Sequence, residues 1–200
     1  MDLCQLLDER ERRWNTRLSL AGLYNCPVLS LTLNIPGPDK NLPGADAALG
    51  QLRAALCAAV EAAGGVVADE CRLSGPDGPA WIAAVRMDAM ALKELAVAVE
   101  ETHVLGRLAD ADVLTAQGQP VNREHLAAAV TATAAATARA DGAGSGRAPR
   151  RCFLCARPAS LCRREGRHSL EDLLAEVRRM LALASENVVQ NAGQGQTCRQ

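Results

Sequence analysis

The tetrapeptide Gly75-Pro76-Asp77-Gly78 leaves the backbone few choices: glycine opens positive φ, proline fixes φ, and aspartate bonds back to its own chain. It separates two strand-patterned pieces, Val66 to Leu73 and Ala80 to Met87, and so predicts a β-hairpin. Around the hairpin the hydrophobic period changes repeatedly. Leu3, Leu7, Trp14, Leu18 and Ala21 recur at helical spacing, with Glu9 and Arg13 four apart between them, which predicts an amphipathic helix from Leu3 to about Ala21. Val28 to Leu33 alternates as a strand until Asn34-Ile35-Pro36-Gly37-Pro38 stops it in a rigid loop. Leu49, Leu52, Leu56 and Val60 mark a second helix over 47–63, closed by Gly64-Gly65. Asp88 is the N-cap of a third, carrying Leu92, Leu95 and Val99 and ending near His103. Asp110 to Thr115 alternates again, and Gln117-Gly118-Gln119-Pro120 turns the chain back through Val121. The order helix, strand, helix, hairpin, helix, strand predicts an α/β fold, a mixed-sheet α/β sandwich.

Beyond residue 123 the material changes. Ala127 to Ala140 is mostly Ala and Thr, and Gly142 to Arg150 is Gly, Ala, Ser, Arg and Pro, a composition with little to bury that reads as an insertion ending in a linker. A Cys-rich stretch at 152–168 leads into Ser169-Leu170-Glu171-Asp172, a capping-box-like start of a terminal helix with Leu170, Leu173, Leu174, Val177, Met180 and Leu181 on one face. That stripe must pack on the main domain or a partner. The expected division is an α/β domain over 1–123, an insertion and linker over 124–150, a Cys-rich knuckle with the terminal helix packed on the main domain over 151–186, and a flexible tail over 187–200.

Composition limits the partners. Acidic residues number 23 and basic 22, so no overall field would hold the chain on nucleic acid or an anionic membrane, and an anionic substrate needs a local site. Only Lys40 and Lys93 among the bases are lysine, leaving mostly guanidinium, which forks onto carboxylates and phosphates. Aromatics make up 2%, so the core is expected to pack through Leu, Val and Ala. The first residues lack a basic start followed by an apolar run, and no long apolar window occurs, so a cytoplasmic protein is expected. In a reducing compartment the eight cysteines are tested first for metal or catalysis.

Three constellations could carry chemistry. On a strand, Asp110 and Asp112 share a face while Ala109, Ala111 and Val113 face the core, and two such carboxylates can hold one Mg²⁺ for phosphoryl or nucleotidyl transfer. Arg107 would neutralise a second phosphate. Asp-x-Asp is also common on exposed strand faces with no ligand. Cys152, Cys155, Cys162 and His168 follow C-x2-C-x6-C-x5-H, four ligands suited to a closed, structural Zn²⁺. A redox pair or thiols sharing a surface loop are the competing readings. The loop Asn34 to Lys40 offers a rigid binding edge, with Asn34, Gly37 and Lys40 as candidate contacts, or merely a stiff connection. Cys4, Cys26, Cys57 and Cys71 are scattered and read as small core hydrophobes. No P-loop, Rossmann or hydrolase-elbow motif is present.

Arg10 to Arg13, Cys26-Pro27-Val28-Leu29-Ser30, Thr32-Leu33-Asn34-Ile35-Pro36-Gly37-Pro38 with Lys40, His103-Val104-Leu105-Gly106-Arg107-Leu108 with Asp110, Asp112 and Val113, and Arg150-Arg151-Cys152-Phe153-Leu154-Cys155 through Cys162 to His168-Ser169 follow one another in this chain. In that order they resemble the holo-citrate lyase synthase family, also called apo-citrate lyase phosphoribosyl-dephospho-CoA transferase. The resemblance leaves out about 126–148 and the tail. It implies a transferase that attaches the 2'-(5''-triphosphoribosyl)-3'-dephospho-CoA group to a serine of the apo acyl carrier subunit of citrate lyase and releases diphosphate. It further implies Asp110 and Asp112 as catalytic carboxylates on a divalent cation, Gly106, Arg107, Asn34, Gly37 and Lys40 as substrate contacts, and His103 as either a proton acceptor or a helix end. Val104 stands where the family commonly has proline, and the Ala-rich insertion is atypical. The competing expectation is a non-catalytic, zinc-stapled adaptor that binds a partner through the basic Cys-rich module.

Overall fold

A computed structural model describes residues 3–123, 126 and 149–194, with side chains to residue 185. The Ala-rich stretch over 127–148 and residues 195–200 lie outside the described residues. The chain runs α1 (Leu3–Tyr24), β1 (Val28–Leu33), α2 (Ala45–Ala62), β2 (Val66–Gly75), β3 (Gly78–Arg86), α3 (Ala89–Thr102), β4 (Ala109–Leu114), β5 (Pro120–Val121), α4 (Ala159–Arg164) and α5 (Leu170–Gln194). The predicted hairpin is β2–β3, with Gly78 at φ +83° closing its turn. Asp88 caps α3 by accepting from the Met90 and Ala91 amides. The short α4 was not foreseen.

The five strands lie in the order β2-β3-β1-β4-β5, and every neighbouring pair is antiparallel. The α/β class stands, but the sheet is antiparallel throughout instead of mixed. Its connections explain why. α2 carries β1 to β2 with β3 between them, and α3 carries β3 to β4 with β1 between them, so each parallel pair is split by an antiparallel strand. Two interlocked split β-α-β units make the ferredoxin-like βαββαβ arrangement. α1 precedes it and α5 follows it.

Period-two alternation sorts the sheet's side chains onto two faces. Leu29, Leu31, Trp81, Ala83, Val85, Ala109, Ala111 and Val113 build the larger core with α2, α3 and α5. Val28, Ile82 and Ala84 turn the other way and meet Leu20 and Ala21 of α1. The terminal helix docks on this same chain: Val177, Met180, Leu181 and Ala184 are buried in the larger core, and Gln51 donates to the Ala184 carbonyl at 2.6 Å. Gly44 permits the close approach, because at φ +87° a Cβ there would meet the Leu181 carbonyl oxygen at 2.7 Å. The Ser169 hydroxyl accepts the Asp172 amide and donates to its carboxylate, the expected cap. α5 continues through Asn187 to Gln194, where a tail was expected.

Of the stripe predicted on α1 only Ala21 is buried. Leu3, Leu7, Trp14 and Leu18 are exposed, whereas Glu9 and Arg13 are buried. The hairpin turn sets this orientation: Arg13 donates to the Gly78 carbonyl at 2.5 Å and to Glu9 at 3.0 Å, and Arg10 donates to Asp77. Among the scattered cysteines Cys26 is buried and Cys57 and Cys71 are half-buried, but Cys4 is exposed, because it rides the outward side of α1's first turns. Among the described residues no helix is long and apolar enough to cross a membrane.

Candidate active site and metal cluster

β4 places Asp110 and Asp112 opposite Thr32 and Ser30 of β1, on the face that α1 covers. Both carboxylates remain partly exposed, 40% for Asp110 and 55% for Asp112. Cations from separate parts of the chain approach them. Arg150 donates to Asp110 at 2.8 Å, and Arg17 of α1 lies 3.9 Å from Asp112. Arg17 Nε and Ser30 Oγ are buried with no hydrogen-bond partner among the described residues. Two orphaned polar atoms beside a carboxylate mark a place whose polar complement is incomplete.

The opposite side of the strand edge is held from α3. Glu100, 8% exposed, accepts the Ala111 amide at 3.0 Å, and Lys93, 5% exposed, donates to the Ala111 carbonyl at 2.7 Å. Burial pulls the Lys93 ammonium below its ordinary range, while Asp112 and Glu100 pull it back. Glu100 also accepts from Arg123 at 3.0 Å and from Arg150, so Arg150 bridges Glu100 and Asp110. In the sequence Arg150 stood only at the end of the linker and at the head of the Arg150-Arg151-Cys152 string, with no site role, and Arg17, Lys93 and Glu100 were missed. The seven-residue spacing of Lys93 and Glu100 within the apolar face of α3 was the available signal.

The turn between α3 and β4 gathers the remaining candidates. His103 ends α3: its amide donates to the Val99 carbonyl, and its Nδ1 accepts the Leu105 amide at 3.1 Å. Burial holds its imidazole below the usual value. Gly106 passes so close to the helix end that a Cβ would lie 2.4 Å from the Glu100 carbonyl oxygen and 2.6 Å from that of Val99. Arg107 extends over the Phe153 ring, 5.8 Å from its centroid. The loop following β1 joins this turn where the Asn34 amide donates to the Leu108 carbonyl at 2.7 Å. Gly37, at φ +80°, lies against Leu170 at the start of α5. Lys40 donates to the Ile35 carbonyl of its own loop, and burial lowers its pKa. Thus Asn34 and Gly106-Arg107 are brought to one edge, whereas Lys40 braces the loop from within. Two surface concavities lie elsewhere, one of about 620 Å³ between α1 and Cys71 and one of about 380 Å³ beside Arg53 and Glu70.

Cys152, Cys155, Cys162 and His168 converge, with their ligand atoms all within 4.8 Å of one another. Cys155 Sγ lies 3.5 Å from Cys162 Sγ and 3.4 Å from His168 Nε2. His168 lowers the Cys155 thiol to about 6, and burial pushes Cys162 up to about 11. The set could hold a metal ion.

A family described as apo-citrate lyase phosphoribosyl-dephospho-CoA transferase matches residues 1–132 and 135–183, including part of the Ala-rich stretch. The chain is 31% identical over 177 residues to a protein of that name from Citrobacter koseri, covering 87% of this chain and 83% of the relative. It is 29% identical over 174 residues to proteins of the same name from Escherichia coli O9:H4 and Shigella flexneri serotype 5b, again covering 87% and 83%.

Proposed function

The chain belongs to the apo-citrate lyase phosphoribosyl-dephospho-CoA transferase family, and from that premise we propose that it moves the 2'-(5''-phosphoribosyl)-3'-dephospho-CoA group of a 2'-(5''-triphosphoribosyl)-3'-dephospho-CoA donor onto a serine of the apo acyl carrier subunit of citrate lyase. The observation that carries the site assignment is the carboxylate face of β4, with Asp110 and Asp112 on alternate residues and guanidinium groups from α1 and residue 150 beside them. In the reaction the serine oxygen forms a bond to the innermost phosphorus of the triphosphate. The bond from that phosphorus to the bridging oxygen breaks, diphosphate leaves, and the hydroxyl proton passes to solvent.

Asp110 and Asp112 fit a divalent cation such as Mg²⁺. Each carboxylate offers several lone-pair sites, and Arg150 occupies one oxygen of Asp110. Two carboxylates fill only part of a hard cation's oxygen shell, leaving room for phosphate and water. When bound, the ion would neutralise charge on the triphosphate oxygens. Arg107, its guanidinium supported by Phe153, would neutralise a second phosphate. The Asn34–Lys40 loop meets the Gly106–Leu108 turn through the Asn34 amide and forms one wall for the donor. His103 is assigned to the turn. A neutral ring whose Nδ1 accepts the Leu105 amide carries its proton on Nε2 and has no free nitrogen to take the serine proton.

Intact-mass spectrometry of the apo carrier, incubated with donor and Mg²⁺, tests the reading. The expected result is a mass increase equal to the donor minus diphosphate, lost when the cation is omitted and slowed by roughly 100-fold or more in Asp110→Asn and Asp112→Asn. Wild-type rates in both variants would overturn the site assignment. An unchanged carrier mass with the intact protein would overturn the reaction.

A further inference from the structure

We propose that Cys152, Cys155, Cys162 and His168 bind one zinc ion, and that this ion orders the segment that brings Arg150 to the carboxylate face and Phe153 to Arg107. From 149 to 168 the only buried residues are Cys152 and Cys162, while Leu154 and Leu161 are exposed. A segment of this length with two buried thiols and no apolar cluster of its own needs another source of order. Its regular structure is slight: one bridge between Arg151 and Pro158, the six-residue α4, and a few backbone bonds such as Cys152 N–H to the Arg157 carbonyl and Ala159 N–H to the Arg150 carbonyl, both at 2.8 Å.

Two of the six ligand edges match a tetrahedral ion, and the whole set lies within 4.8 Å. Zn–S bonds near 2.3 Å and Zn–N bonds near 2.05 Å at tetrahedral angles give edges of about 3.8 Å between sulfurs and about 3.6 Å from sulfur to nitrogen. The observed 3.5 and 3.4 Å lie close to these edges. A disulfide needs about 2.0 Å, so the sulfurs are not paired. Four protein ligands close the shell, which makes the site structural instead of catalytic.

Its placement ties it to the transferase site. Arg150 stands two residues before the first ligand and bridges Asp110 and Glu100. Phe153 stands between the first two ligands, packs on the larger core and carries Arg107 over its ring. Ordering Cys152 therefore orders the residues on both sides of it. The metal claim is independent of the proposed reaction, and only its consequence for the site rests on that reading.

Metal analysis of the full chain, purified without chelator, gives the first test. About one equivalent of zinc is expected, retained in Cys4→Ser and reduced below about a tenth in Cys152→Ser and Cys162→Ser. Less than about half an equivalent in the wild type, another metal in its place, full zinc in both ligand variants, or a Cys155–Cys162 disulfide in the peptide map would overturn the site. The second test avoids variants that fail to fold. Zinc is stripped from the wild-type protein and restored while backbone hydrogen exchange is followed by mass spectrometry. Peptides spanning 150–168 should exchange at least about tenfold faster without zinc and recover with it, while those from β1 and β3 stay protected. Unchanged exchange over 150–168 would overturn the ordering role. Arg150→Ala should keep both zinc and protection, yet slow transfer. No transfer by the zinc-loaded wild type would count against the reaction alone.

Discussion

Replacing Glu100 with alanine removes a buried carboxylate that holds three groups at once: the Ala111 amide, Arg123 and Arg150. Ala111 is fully buried, so its amide would lose its partner with no access to water, at a cost of about 1–3 kcal/mol. Removing one member of a buried ionic network costs about 3–5 kcal/mol in total, because the remaining charges stay behind. Arg150 is 37% exposed and Arg123 17% exposed, so water relieves part of their loss and the lower end applies, about 3 kcal/mol. For a chain of this size that lowers Tm by roughly 6–12 °C. Glu100→Gln keeps an oxygen for the Ala111 amide but turns an NH2 toward an arginine, and should lose about half as much. Urea unfolding followed by far-UV circular dichroism measures both, provided the m-values match the wild type. A loss under about 1 kcal/mol in Glu100→Ala at unchanged m would refute the idea that this carboxylate fastens β4 to α3.

Gly106→Ala should destabilise by about 2–4 kcal/mol, because the added Cβ meets backbone carbonyls of α3 that no side-chain rotation can relieve, whereas Gly50→Ala, with nothing within 4 Å, should gain up to about 1 kcal/mol by urea unfolding. If Gly106→Ala is neutral, the close approach is not required. His103→Asn should keep the turn, since an Asn oxygen can accept the amide two residues on, and should transfer at nearly the wild-type rate, where loss of a general base would cost about 10²–10⁴-fold. Burial favours the neutral imidazole in the folded state, so its contribution is complete above about pH 6.5 and is lost as pH falls below that value; the wild type should lose stability over that window more steeply than His103→Asn, and equal slopes would exclude the group.

The parts of the fold set by local chemistry were legible in the sequence. Turn residues located the β2–β3 hairpin, Asp88 located the start of α3, and alternation placed Asp110 and Asp112 on one face. Features set by tertiary partners were not. The apolar spacing of α1 predicted a buried stripe through Leu7 and Trp14, but the carbonyl of Gly78 and the carboxylate of Asp77 gave Arg13 and Arg10 partners inside and turned the helix over. Strand direction was open for the same reason, because periodicity names a strand without naming its neighbour. The C-x2-C-x6-C-x5-H spacing located the cysteine cluster, since those four residues are close in sequence. Nothing local to Arg150 revealed that it would reach Asp110, forty residues earlier in the chain.

The carboxylate face owes its position to how β4 is held on both edges. On one side β1 pairs with it from Ala109 to Leu114. On the other, β5 pairs only with Val113 and Leu114, which leaves Ala111 without a strand partner there among the described residues. Glu100 and Lys93 take the place of the missing strand, one accepting the Ala111 amide and the other donating to its carbonyl. A shift of one residue in β4 would turn Asp110 and Asp112 into the larger core and bring Ala109, Ala111 and Val113 out, so the register is also the condition for the site. The same clamp supplies Glu100 as an anchor for Arg150, which then reaches Asp110. The interactions that close an open strand edge thereby also set which charges lie beside Asp110, and a chain with nearly balanced total charge obtains a local cluster of cations and carboxylates from the pairing of a strand with a helix.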